Sequence, residues 1–199
     1  MNYPNCLKNL IESFKKLPGV GEKTAERYSY AIINNFEKED SQFFSKSIQD
    51  VKEKLRKCDK CNNITESNIC ELCSDKRRNK KVICLVQDSK DIILFEKIGF
   101  FNGLYYVIEK LISPINGVGP EDINLEKLFK RIEDEKIEEV IIAIKPTIEG
   151  ETTSLYIARM LEKKDVIVSK IAHGIPIGTD MEYLDPLTLE LAIKDRKTF

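Results

Sequence analysis

Apolar positions in the first 55 residues recur at helical spacing. Leu7, Leu10, Ile11 and Phe14 share one face of a helix over 5–16. Ala25, Tyr28, Ile32 and Phe36 do the same for a second helix from about Glu22 to Asn35. A third, which Ser41 is placed to cap, carries Phe44, Ile48, Val51 and Leu55 inward at steps of 4, 3 and 4. Between the first two helices stands LPGVGEKTAER, residues 17–27. Pro18 disfavours helical geometry at Leu17, and Gly19 and Gly21 can take the positive φ of a sharp reversal.

Beyond residue 80 the period changes. KKVICLVQD, GLYYVIE, EEVIIAIKP and DVIVSKIA are short β-branched runs, separated by the helical stretches SKDIILFEKIG, NLEKLFKRIEDEKI and TTSLYIARMLEKK. Strand and helix in alternation predict βαβ units on a mainly parallel sheet. The expected fold class is α+β and multidomain. It comprises a helical module over 1–56, a cysteine-rich finger over 57–79, an α/β domain over 80–172 and a short C-terminal segment over 173–199. No internal repeat interrupts this plan.

Composition adds little until the chain is divided. With 199 residues, 42% of them apolar, it can build real cores. No apolar run approaches the roughly 20 residues that span a bilayer, and MNYPNCLKNL lacks the form of a signal peptide, so a cytoplasmic protein is expected. The net charge of −1 conceals an asymmetry: 17 Lys and Arg against 12 Asp and Glu up to Lys81, then 15 against 21. A polyanion would be met by the N-terminal part.

Cys58, Cys61, Cys70 and Cys73 form two C-x2-C knuckles eight residues apart, a spacing that lets four thiolates converge on one Zn2+. Four protein ligands leave no open position, so the metal is expected to be structural. Cys6 and Cys84 lie outside the pattern and read as packing residues. The run from Lys76 to Lys81 holds five basic residues, either a solvated linker or a phosphate-facing strip. At the opening stretch, a helix, a Gly-Val-Gly turn and a second helix present unpaired N–H groups at a tip, with Lys23 and Arg27 one turn apart behind it. This is a helix-hairpin-helix pattern, which grips the DNA backbone without reading bases; Gly19, Gly21, Lys23 and Arg27 are its expected contacts.

The α/β part is similar in frame to a Toprim domain, whose carboxylates hold magnesium for phosphoryl chemistry. Gln87 stands where its glutamate would be, and Lys145, Pro146 and Thr147 where an acidic pair would be needed. Asp88, Glu149 and Glu151 remain, beside a lysine that competes with any cation. No enzyme is expected, and no catalytic residue is assigned. His173, the single histidine, has no nucleophile paired with it, and Gly174, Pro176 and Gly178 read as a rigid turn.

LPGVGEKTAER, the four cysteines, ISPINGVGPEDI, KPTIEGETTSLYIARML and IAHGIPIGTDMEYLDPLTL, in that order, resemble the RecR family of bacterial recombination mediators. The resemblance implies a helix-hairpin-helix, a zinc finger, a Toprim domain and a C-terminal segment. It also implies binding to duplex DNA and single-stranded/duplex junctions, ring-like tetramers, and loading of RecA with RecO and RecF. It links Asp88, Glu149 and Glu151 to RecO contact, and Leu187, Leu189, Leu191 and Ile193 to contact with a neighbouring subunit. Two further readings stand beside it: a partner-holding scaffold that does not bind DNA, and a magnesium-dependent nuclease.

Overall fold

A computed structural model describes residues 3–172, 174–175 and 178–196, which excludes His173 and Pro176 of the expected turn. The chain divides into two compact units, 1–55 and 56–199.

In the first unit, α1 (Asn5–Lys15) and α2 (Glu22–Asn35) form a hairpin, followed by α3 (Lys38–Lys54). Leu7 and Ile11 of α1 and Ala25 of α2 make its small core, with Tyr3, Phe14 and Val20 packed around them. The inward face of α2 is built of small residues: Ala25 and Ser29 are fully buried, and the Ser29 hydroxyl donates to the Ala25 carbonyl at 2.9 Å. Large side chains at the expected inward positions fit less deeply. Ile32 is half-buried, while Tyr28 and Phe36 stay exposed at the rim, in edge-to-face contact with Phe14 and Phe44.

Three expectations fail here. Helix α3 begins at Lys38, ahead of Ser41, with Glu37 as its first cap residue and its N–H donating to the Asp40 carboxylate at 3.1 Å. Phe44, Ile48, Val51 and Leu55 line one face as their spacing requires, yet all are exposed and α3 has no buried residue. Periodicity identified the stripe; among the described residues of this unit, Phe36 touches Phe44 at one end and the stripe stays exposed. Cys6 is exposed and is not a packing residue.

The second unit opens with a two-stranded hairpin, β1 (Arg56–Lys57) and β2 (Ile64–Thr65), and a single turn, α4 (Glu71–Ser74). Then come β3 (Val82–Val86), α5 (Ser89–Ile98), β4 (Leu104–Val107), α6 (Glu126–Glu135) and β5 (Glu139–Ala143). The unit ends with α7 (Ile148–Leu161), β6 (Ile167–Lys170) and α8 (Pro186–Lys194). The sheet runs β4-β3-β5-β6 and is parallel throughout.

Central strand β3 is uniformly apolar because helices cover both its faces. Ile83 and Leu85 join Leu128 and Ile132 of α6 and Ile157 and Leu161 of α7 on one side. Cys84 and Val86 join Ile92 and Phe95 of α5 on the other. Cys84 is thus a packing residue as expected, and burial pushes its thiol up to about 12.

Local chemistry sets the helix starts at the C-terminal ends of the strands. Asp88 caps α5, accepting from the Lys90 N–H at 2.9 Å, and Thr147 caps α7, accepting from Gly150 at 3.1 Å. A Cβ on Gly150 would lie 1.9 Å from the Lys145 carbonyl oxygen, so the turn between β5 and α7 admits only glycine. Farther on, Leu187 and Ile193 of α8 are exposed and Leu189 and Leu191 half-buried.

Candidate zinc centre and nucleic-acid interface

The four cysteine sulfurs all lie within 4.8 Å of one another, and every one of these residues is buried. Thiolates about 2.3 Å from a tetrahedral zinc ion are about 3.8 Å apart, so the donor set and its compactness fit that ion. Sulfur acceptors are also supplied with donors: the Lys60 and Cys70 N–H groups point at Cys58 Sγ, at 3.4 and 3.3 Å. The Cys61 and Cys70 sulfurs are themselves 3.5 Å apart, within hydrogen-bond reach of one another.

The finger packs on the rest of its unit along edge strand β4. Val107 N–H donates to the Cys61 carbonyl at 2.8 Å, and Asn62 Nδ2 donates back to the Val107 carbonyl at 3.0 Å. Asn62 reaches this pose with φ +61°, in the left-handed region that asparagine tolerates. From α6, Lys127 Nζ donates to Asn62 Oδ1 at 2.7 Å and to the Cys58 carbonyl at 3.2 Å. Arg131, buried on the same helix, donates to Cys73 Sγ at 3.7 Å.

The basic run after the finger is not one strip. Arg78 turns inward, where its guanidinium holds both Glu96 oxygens, at 2.9 and 2.7 Å, and donates to the Gly103 carbonyl at 2.8 Å. Its hydrogen bonds hold the Glu96 carboxyl below the ordinary range. Arg77 pairs with Asp75 and Lys81 with Glu138, so among the described residues only Lys76 and Lys80 of the run lack an ion pair.

At the α1–α2 turn the two glycines differ. Gly19 takes φ +78°, whereas Gly21 takes φ −85°, ψ 176° and serves as the N-cap of α2, so only the first uses the positive φ open to both. No side chain caps α2, and a Cβ on either glycine would meet nothing within 4 Å. The first-turn N–H groups of α2 therefore have no side-chain cap. Lys23 and Arg27 are exposed behind this tip; Arg27 lies over the Tyr28 ring, 5.6 Å from its centroid. Glu22, the one acidic residue in the first turn, is paired with Lys15 at 2.6 Å, a lysine that it shares with Glu12 at 3.0 Å.

The remaining carboxylates are not gathered into a metal site. Asp88 is spent on the α5 cap, and Glu151 is held by Lys170 at 2.5 and 2.6 Å. Glu149 lines a cleft with Gln87, Lys110, Lys145 and Thr147 at the C-terminal ends of β3 and β5. Among the described residues, only the four cysteines form a cluster able to hold a metal ion.

A helical hairpin with an uncapped turn, a four-sulfur finger and a parallel α/β domain define a modular protein of DNA transactions. Family models match in series: RecR helix-hairpin-helix over 7–52, RecR four-cysteine zinc finger domain over 55–75, Toprim domain over 81–172 and RecR C-terminal over 174–197. The chain belongs to the RecR family, whose domains are those of a recombination-repair mediator, and Cys58, Cys61, Cys70 and Cys73 hold one structural zinc ion. No helix among the described residues is long and apolar enough to cross a membrane.

Sequence reasoning missed Arg131, Lys127 and Ser29. Ser29 was detectable, since it stands one turn from Ala25 on the inward face. The two cations of α6 were not, because nothing in EKLFKRIEDE separates a cation facing a sulfur cluster from one facing water.

Proposed function

We propose that this chain is a non-catalytic DNA-binding clamp subunit. In this reading it binds duplex DNA and junctions with single strands without sequence preference, and with RecO and RecF it promotes loading of RecA. The observation that carries the reading is the uncapped, unobstructed N-terminus of α2, with Lys23 and Arg27 exposed one turn apart behind it. Backbone amides and two flexible cations suit phosphate oxygens and offer no base-reading surface, so contact there gives affinity and register only.

The absence of chemistry is part of the proposal. Gln87 and Lys145 stand where Toprim enzymes need acidic residues, Asp88 caps a helix, and Glu151 is paired with Lys170. Asp88, exposed, and Glu149, half-buried in the cleft, would meet RecO near the C-terminal ends of the strands, with Glu151 beside them. Assembly into a ring-like tetramer would cover the exposed stripe of α3 and the exposed leucine and isoleucine of α8. The proposed domain limits are 1–56, 57–79, 80–172 and 173–199, and the proposed site of action is the bacterial nucleoid.

The test is a titration of labelled duplex carrying a single-stranded tail, at low salt with magnesium, against the protein and Lys23→Ala/Arg27→Ala. Weaker binding by the variant, with DNA intact on a gel, supports the clamp reading. Equal binding by both removes the hairpin from the interface, and cut DNA overturns the non-catalytic assignment.

A further inference from the structure

Edge strand β4 carries outward-facing backbone groups that an open sheet would leave to water or to another chain. Here the outward carbonyls of Gly103, Tyr105 and Val107 and the Val107 N–H are occupied by the finger and by two arginines. The Gly103 carbonyl, just before β4, accepts from Arg78, and the Tyr105 carbonyl accepts from Arg131 Nη1 at 3.1 Å. Val107 exchanges bonds with Cys61 and Asn62. The zinc finger is therefore also the cap of the sheet edge.

Arg131 reaches three parts of this junction: a ligand sulfur, the ligand loop and the sheet edge. Its guanidinium donates to Cys73 Sγ at 3.7 Å, to the Lys60 carbonyl in the first knuckle at 3.3 Å, and to the Tyr105 carbonyl. Its Nε donates to Glu135 Oε2 at 3.0 Å, and Glu135 also receives Lys60 Nζ at 2.5 Å. Two cations thus share one carboxylate, leaving positive charge unmatched next to the sulfurs. Four thiolates around a divalent ion leave two negative charges in a buried site, which that excess offsets. Lys127, one turn earlier on α6, adds a second cation against the Cys58 carbonyl.

We infer that Arg131 is an outer-shell positioning residue of the zinc site and couples metal occupancy to the capping of β4. Its planar fork holds a ligand sulfur, the ligand loop and the sheet edge in one arrangement, so the finger's affinity for zinc depends on a helix of the Toprim domain. A lysine keeps the charge but cannot make all these bonds.

The test uses the full chain as wild type, Arg131→Lys and Arg131→Met, with Lys130→Met on the exposed side of α6 as control. Zinc affinity is read by chelator competition, the site by the thiolate-to-cobalt charge-transfer band of cobalt-substituted protein, and the edge by amide exchange at Val107. Arg131→Met is expected to lose about 10- to 100-fold in zinc affinity, with a displaced cobalt band and faster Val107 exchange. Arg131→Lys should recover part of the affinity, and Lys130→Met should match wild type. A lower melting temperature with wild-type zinc affinity and an unmoved band would make Arg131 a packing residue only and overturn the inference. If Arg131→Met does not fold, Arg131→Lys decides: reduced affinity with faster Val107 exchange supports the coupling, and wild-type values of both refute it.

Discussion

Gly19 and Gly21 stand two positions apart and are glycine for different reasons. At Gly19 the backbone itself demands it, with φ +78°. At Gly21 neither φ nor internal packing does, and the space before it is empty, which suits a position left bare for something that approaches from outside. Aspartate at 21 would fit that space, cap the free amides of α2 and place a negative charge where a phosphate is proposed. Gly21→Asp is expected to leave thermal stability unchanged or raise it by roughly a few tenths of a kcal/mol, while weakening DNA binding about tenfold or more. Loss of stability in step with binding would instead assign the glycine to the fold. The residues named from sequence at this turn were legible because glycine, proline and paired cations have few other uses together. Arg78 was not: it reads as one of five cations in a run, and only the fold shows Glu96 and Gly103 waiting for it.

Elements were legible wherever a period is long or a strand is buried on both faces. The four strands of the parallel sheet and the helices between them follow from their apolar runs, as does the helical nature of α3. What covers an apolar stripe is a different question, since spacing fixes only which residues share a face. The same limit hid the junction between finger and sheet, whose bonds are mostly to backbone groups of β4 and leave no trace in side-chain pattern. That junction predicts the effect of metal removal. A finger this short has almost no apolar core besides its cysteines, with Leu72 alone among the described residues packed against them. One equivalent of zinc per chain is expected. Chelation should lower the melting temperature and open the Val107 amide to exchange, while β3 and β5 remain protected. Unchanged stability after complete zinc removal would contradict the structural role of the metal.

At the scale of the whole molecule, positive excess lies before residue 82 and negative excess after it. The proposed DNA contacts sit in the first part and the proposed partner contacts in the second. Apolar surface remains on α3, where Phe43, Ile48 and Val51 are more than half exposed, and on α8, where Leu187 and Ile193 are. Burial of both patches between copies predicts a solution mass near four chains, and a monomer at all concentrations would remove the ring from the account. The most direct test of the central claim is the salt dependence of binding to duplex DNA, measured for wild type and Lys23→Ala/Arg27→Ala. If both side chains neutralise phosphates, the slope of log Kobs against log salt should be shallower in the variant by about 0.9 for each lost contact, thus about 1.8 in all. Identical slopes for the two proteins would contradict phosphate binding by the hairpin.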